Sequence, residues 1–470
     1  MRRHNRQFIL LCGALLLCAM HLSAEQTARE AIHENIFLSA SNFLAYMPPT
    51  EPLTKTPKGY EPFYMTHYGR HGSRWHTNDN TCNDIIKALT AAEEAGKLTA
   101  TGREVLRKMN QFYPLSAKRL GDLTPLGERQ HHGIGRRMTE HFPEIFKGDA
   151  YVDARSTVVV RCILSMVAEC EELMAFNPKL RIHNDVSESL QYYMNQSRGG
   201  IVRQAVSNGG SAITRFTRDL VHPDRLCSVL FNDPAYVEEN VNKTSLVKRL
   251  FEVAINMQSH DVDISFYDLF TEDEIFDLWR STNISWYVNY CNSPYTDHLA
   301  PFSQENLLDN ILSTADTIVG QTGFHGATLR FGHEICVLPL ACLLELGNCN
   351  ASVEDLSRLE ETWRDYEIYP MGCNIQLIFY RPKKGKKGDI LVKALLNEKE
   401  VSMPAKTDNF PYYKWSDLRL YYGKKLSEFR TKAANWTPPE PTERERSSSR
   451  QQPVTGTAPA TPAAAARPAA

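Results

Sequence analysis

The sequence predicts an α/β fold: a mostly parallel central sheet flanked by helices, with a helical domain inserted into it. Strand-like runs alternate with helical patterns toward both ends of the chain, the order that builds parallel sheets from βαβ units. Two of those runs, 62–67 and 327–331, lead into turns that carry glycine and histidine, and open α/β sheets place their ligand crevice at such strand-to-helix junctions. Between the two junctions, residues 187–320 are helix-rich and polar, without strand alternation.

In chain order, Met1 to Arg6 is basic, 8–20 is an almost unbroken apolar run, and His21-Leu22-Ser23-Ala24 precedes Glu25. This reads as a signal peptide over 1–24, removed on export to a secreted or periplasmic location. About 13 apolar residues are too few to span a bilayer, so no stable membrane insertion is expected after cleavage. Residues 25–186 and 321–436 are the expected α/β core, and 187–320 the helical cap lying over its site. Helical patterns cover 82–96, 101–112, 124–141 and 156–176, then 338–346 and 415–432, while 374–380 and 389–395 read as further strands. Thr124 is placed as an N-cap with Pro125 at the first helical position. Beyond Trp436 the composition turns to Pro, Ala, Ser, Thr and Gln, so 437–470 is expected to be a disordered tail.

With 53 basic against 55 acidic residues, the chain has no overall attraction for nucleic acid or for an anionic membrane. Affinity for a polyanion must come from a local cluster. Cleavage of the leader removes Cys12 and Cys18 and leaves nine of the 11 cysteines, an odd number, so at least one thiol is free or pairs between chains. No CxxC or Cys/His ligand spacing occurs, and no metal or other cofactor is expected. His67 and His71 are four apart, but on a strand that spacing separates them by about 13 Å, too far for one ion.

The run Arg70-His71-Gly72-Ser73-Arg74 sets one histidine between two guanidinium groups. A neutral imidazole can attack phosphorus, paired arginines can hold its anionic oxygens, and a glycine lets the backbone approach the ligand. Downstream, Ala327-Thr328-Leu329-Arg330-Phe331 runs into Gly332-His333-Glu334, bringing a second histidine and a carboxyl group to another junction. A third element is Leu123-Thr124-Pro125-Leu126-Gly127-Glu128-Arg129-Gln130.

Together these resemble branch 2 of the histidine phosphatase superfamily, the histidine acid phosphatases that include phytases and multiple inositol polyphosphate phosphatases. The resemblance runs from about residue 35 to 432 in the family's order: an RHGxR string, an LTxxGxxQ helix, an arginine entering a helix and a late His-acid pair. It is strongest toward the inositol polyphosphate phosphatases, on Val392 to Val401 and Tyr412-Tyr413-Lys414-Trp415. It implies an α/β phosphatase acting without metal through a phosphohistidine at His71. Arg70, Arg74, Arg161 and His333 would hold the phosphoryl oxygens and Glu334 would act as general acid. The implied substrate is a small polyanionic phosphate ester such as phytate, with sugar phosphates or a broad range of monoesters as the alternative. A non-catalytic anion-binding protein of the cell envelope is the alternative outside enzymes.

Two departures stand out. Many family members follow the late histidine with aspartate, and the inositol polyphosphate phosphatases space a glutamate one residue further; here Glu334 follows His333 directly. Trp75-His76 follows the RHGxR string where an aromatic or small residue and then proline are common, and His76 is read as a solvated loop residue. Arg155 is a rival to Arg161. The extra cations that phytate requires are sought among Arg136, Arg137, Arg198, Arg203, Lys243 and Lys248.

Overall fold

The computed structural model describes residues 26–438; the expected signal peptide and nearly all of the tail lie outside the described residues. Eight strands form one sheet: β1 (Tyr60–Arg70), β2 (Tyr151–Ser156), β3 (Arg181–Asp185), β4 (Gly326–Gly332), β5 (Asn374–Pro382), β6 (Leu391–Leu396), β7 (Lys399–Val401) and β8 (Tyr413–Lys414). Their order is β3-β2-β4-β1-β5-β6-β7, with β8 also pairing β6. Strands β3, β2, β4 and β1 are mutually parallel, as strand-helix alternation dictates. The remaining pairings are antiparallel: β5 joins β1 from far along the chain, and β6 and β7 follow β5 through short connections in place of helical crossovers. The β6–β7 turn, for example, is Asn397-Glu398, both at positive φ (52° and 64°), the geometry of a two-residue hairpin loop. The sheet is therefore mixed, with its parallel half carrying the two junctions.

Six helices bear on the site: α1 (Pro125–His141), α2 (Val160–Phe176), α3 (Lys243–Asn256), α4 (Glu272–Tyr290), α5 (Glu334–Leu343) and α6 (Trp415–Ala434). Ile134 and Met138 of α1 and Met166 and Leu173 of α2 pack on one sheet face with Val152, Leu329 and Ile378. On the other face, Leu338 and Leu340 of α5 and Leu418 and Tyr422 of α6 pack with Tyr64, Leu377 and Phe379. A sheet so covered buries both faces, and β4 is buried at every position. A separate apolar cluster joins Ile85, Met109 and Phe112 to Leu250, Phe251, Ile275 and Trp279, so α3 and α4 share a core with the helices that follow the first junction. Among the described residues, helices and turns alone lie between Glu188 and Val319. No described helix is long and apolar enough to cross a membrane.

Two differences between the helix boundaries and the sequence reading bear on the site. Residues 151–156 are strand rather than helix at their end, and α2 starts at Val160. Helix α5 begins at Glu334 instead of 338 and passes through Pro339. Proline at that place leaves the Ile335 carbonyl without its helical donor, and Gln196 Nε2 donates to it at 3.2 Å.

Candidate active site

Register brings the two junctions together. Arg70 pairs with Gly332 across the parallel β1–β4 ladder, so both strands end at one level and His71 and His333 leave the sheet side by side. Their ring centroids stand 5.6 Å apart. Strand β2, on the far side of β4, ends at the same level with Ser156 opposite Phe331, and the α2 helix that follows supplies Arg161. Three adjacent strand ends thus deliver all six predicted residues to one crevice.

The loop after β1 is held by main-chain contacts. Its Ser73 carbonyl accepts from Thr124 N (2.9 Å) and Thr124 Oγ1 (3.0 Å), and Ser73 N donates to Gln130 Oε1 at 2.8 Å. Gly72 N donates to Ser165 Oγ of α2 at 3.2 Å. The first turn of α1 lies directly on this loop: a Cβ on Gly72 would stand 2.4 Å from the Gly127 carbonyl oxygen, and one on Gly127 2.3 Å from the Ser73 oxygen. Only glycine fits at either place. Thr124 caps α1, accepting from Gly127 N at 3.2 Å, as its sequence predicts.

His71 is buried, with Nδ1 2.8 Å from the Gly72 carbonyl. A carbonyl only accepts, so the proton sits on Nδ1 and the Nε2 lone pair faces the crevice. Burial pushes the His71 pKa well below the ordinary histidine value, and the positive charges of Arg70, Arg161 and Arg74 add to this. Burial likewise lowers His333, to about 4, against the opposing pull of Glu334. Both rings are neutral at mildly acidic pH.

Around them stand three guanidinium groups. Arg70, fully buried, donates its Nη atoms to the carbonyls of Tyr369 (2.9 Å) and Asn42 (2.7 Å). Its Nε is 3.0 Å from Glu334 Oε2, an ion pair without hydrogen-bond alignment. Arg74 lies over the Phe43 ring at 5.0 Å and donates to the Trp75 carbonyl at 3.0 Å; burial lowers its pKa to about 10. Arg161 reaches the Gly121 carbonyl at 3.3 Å. The Nε atoms of all three are buried without a hydrogen bond; that of Arg70 has the Glu334 carboxylate beside it, whereas those of Arg74 and Arg161 each cost about 1–3 kcal/mol until an acceptor arrives.

Glu334 Oε2 is also 3.9 Å from His71 Nε2. Burial raises its pKa, but Arg70, Arg74 and His333 outweigh burial and hold the carboxyl at about 2. It is a carboxylate in the free protein. His71, His333 and Glu334 also form the one cluster of metal-ligating type among the described residues, their ligand atoms within 4.8 Å of one another. Three adjacent guanidinium groups oppose a cation there and suit an anion.

Other sequence candidates fall elsewhere. Arg155 is bound to Asp153 (2.6 Å) and the Tyr193 hydroxyl (2.7 Å). His67 is buried in β1, away from the crevice cluster. His76 is not a solvated loop residue: it is buried, 5.6 Å from the Phe43 ring and 3.6 Å from Glu252. Trp75 stacks on Phe112 and lies 4.0 Å from the His260 ring, which places it in packing. Arg136 pairs with Glu172, Arg137 with Glu398, and Lys243 with Asp224 and Glu238. Arg203 bonds the Arg198 carbonyl. Arg198 lies over the Tyr290 ring at 4.7 Å, and Lys248 lines a cavity that begins at Arg74.

Sequence reasoning assigned no role to Gln130 or Ser165, or to the Asn42 and Tyr369 carbonyls. Gln130 was detectable: at three residues beyond Gly127 it falls on the helix face that touches the loop. The carbonyls leave no side-chain signature.

No family model matches the chain, and no curated protein does. Solved structures do. The Bifidobacterium longum multiple inositol polyphosphate phosphatase in complex with inositol hexasulfate matches 81% of this chain and 96% of its own, with a TM-score of 0.65 at 17% identity. The same enzyme in complex with phosphate matches 83% of this chain and 98% of its own, with a TM-score of 0.64 at 18% identity. A phytase from D. castellii matches 87% of this chain and 89% of its own, with a TM-score of 0.63 at 12% identity. The chain therefore has the fold in which these inositol polyphosphate phosphatase and phytase structures are built.

Proposed function

We propose that this chain is a phosphoric monoester hydrolase that removes phosphate from inositol polyphosphates through a phosphohistidine at His71. The observation that carries the reading is the gathering of Arg70, Arg74 and Arg161 around the Nε2 lone pair of His71, with the buried Nε–H groups of Arg74 and Arg161 lacking an acceptor. A phosphoryl group supplies the missing acceptors and presents its phosphorus to the nucleophile. Solved structures that share its fold include complexes with inositol hexasulfate and with phosphate, which supports an anionic ester as ligand.

In the first step Nε2 of His71 forms a bond to phosphorus as the ester P–O bond breaks. The guanidinium groups and the His333 ring N–H take up charge on the equatorial oxygens. The leaving alkoxide takes a proton from Glu334. That carboxyl is ionised in the free protein, but a phosphate dianion beside Arg70 and Arg74 cancels the field that keeps it so, and protonation accompanies binding. In the second step water attacks the phosphohistidine, passes a proton to the Glu334 carboxylate, and frees phosphate and imidazole. Residues 187–320 act in this reading as a cap over the crevice, and the leader-like residues 1–24 direct the protein to a secreted or periplasmic location.

His71→Ala tests the assignment. Turnover of phytate and of a panel of monoesters should fall by about 10⁴-fold or more, as loss of a nucleophile does. Rapid alkaline quenching should trap acid-labile protein-bound phosphate on the wild type only. Turnover within tenfold of wild type would remove His71 from the role. Phosphate binding without turnover in the wild type would favour a non-catalytic anion binder.

A further inference from the structure

The cavity that begins at Arg74 measures about 470 Å³ and is walled by α3 and α4. Its charged groups are few. Besides Arg74, its one cation is Lys248, which is exposed and has no ion-pair or hydrogen-bond partner among the described residues. One helical turn on, Glu252 accepts from Thr81 Oγ1 at 3.3 Å and is ionised at mildly acidic pH, its pKa lowered against burial by His76, Thr81 and Arg74. From α4 come Thr282, Ser285 and Trp286, all on one face. Thr282 Oγ1 donates its hydrogen to the Leu278 carbonyl (3.2 Å) and Ser285 Oγ to the Ser281 carbonyl (2.8 Å). With those hydrogens spent, the two oxygens offer the cavity lone pairs.

Lone pairs and a carboxylate accept hydrogen bonds from a substrate hydroxyl. They disfavour a phosphate, whose charged oxygens bring no hydrogen to these acceptors. A leaving group phosphorylated at every position would set its phosphates against Thr282, Ser285 and Glu252, with Lys248 as the one cation beyond Arg74 to pair them beside the neutral donors of Asn42, Thr77 and Ser281; Arg198 lies further along α4, over Tyr290, which stacks on Trp286 at 4.8 Å. Resting on the phosphatase reading of His71, we propose that this cavity is the leaving-group subsite. It selects a polyol ring with free hydroxyls and one further phosphate, the latter at Lys248, with the ring's C–H face on Trp286.

The test compares kcat/KM of the purified protein for an inositol bisphosphate, an inositol monophosphate and the hexakisphosphate at equal ionic strength. The bisphosphate should exceed the hexakisphosphate by about tenfold or more, the range of a charge-assisted hydrogen bond gained in one substrate and an unpaired group suffered in the other. Lys248→Met should cost the bisphosphate about tenfold more than it costs the monophosphate. Hexakisphosphate turned over as well as the bisphosphate, or equal losses for both esters in Lys248→Met, would overturn the proposal. Hydrolysis of p-nitrophenyl phosphate serves as the separate readout: its absence in wild type would sink the phosphatase reading itself, while its presence with no discrimination would sink only the subsite.

Discussion

The two walls of the crevice are built of different materials. On the sheet side, buried Arg70 and His71 and half-buried His333 stand at strand ends, placed by strand register, with main-chain carbonyls orienting the first two. On the helix side, Lys248, Thr282 and Ser285 are side chains on the faces of α3 and α4, more open to solvent and free of the register. The difference teaches where each property resides. Changes to the residues of the sheet wall that hold or attack the phosphoryl group should strike turnover of every ester alike, a change to its proton donor should strike in proportion to the leaving group's need of a proton, and changes in the helix wall should redistribute activity among esters by their shape and charge.

Arg161→Ala offers the hardest challenge to that division. Removing one of the three guanidinium donors to the transferring phosphoryl group should lower kcat by about 10²- to 10³-fold, by similar factors for p-nitrophenyl phosphate and for an inositol phosphate. A loss confined to one ester would move Arg161 into the specificity wall. Glu334→Gln sharpens the comparison from within the sheet wall. Alkyl phosphates should lose about 10²-fold because their alkoxide requires a proton, and p-nitrophenyl phosphate much less because its leaving group departs without one. Equal losses would make Glu334 a binding or structural residue.

Gly127→Ala probes the mounting of the sheet wall. The new Cβ meets the Ser73 main chain at 2.3 Å, so either α1 or the loop must shift, at a cost of about 1–3 kcal/mol typical of overpacking. Denaturant unfolding reads the loss, and kcat should fall with it for all esters; an unchanged midpoint and rate would show that the contact is slack. The smallest effect belongs to the other wall. Ser285→Ala should lower kcat/KM for a polyol phosphate by about two- to tenfold, the range of one neutral hydrogen bond, relative to p-nitrophenyl phosphate. A uniform change would erase the distinction between the walls.

The same contrast explains what was legible in the sequence. The sheet wall could be read because its residues sit in short strings, Arg70 to Arg74 and His333-Glu334, at the ends of strongly apolar strands. Strands β2 and β3 were not foreseen. Tyr151–Ser156 is short and holds Asp153 and Arg155, and Arg181–Asp185 is a polar sheet edge with no buried residue, so neither displays the apolar run of an inner strand. His76 sits among polar neighbours in sequence, and only the packing of Phe43 and Glu252 against it shows that it is buried. The helix wall was legible only in Lys248, one of six candidate cations that the sequence could not place, and the reason is different. Lys248 and Ser285 come from two helices that meet only after folding, and serines on a helix face look like ordinary solvated positions.

The contact between Gly72 and Gly127 has a consequence for how this protein tolerates mutation. Because it is main chain against main chain, no change of side chain elsewhere can make room for a larger residue at either place. A saturation library selected for activity should therefore show two isolated positions, 55 residues apart in sequence, that accept no replacement although neither carries a reactive group. Tolerance at the surrounding surface positions would reveal the pair as a hinge point of heredity rather than of motion: two distant segments of the gene that must be inherited unchanged together.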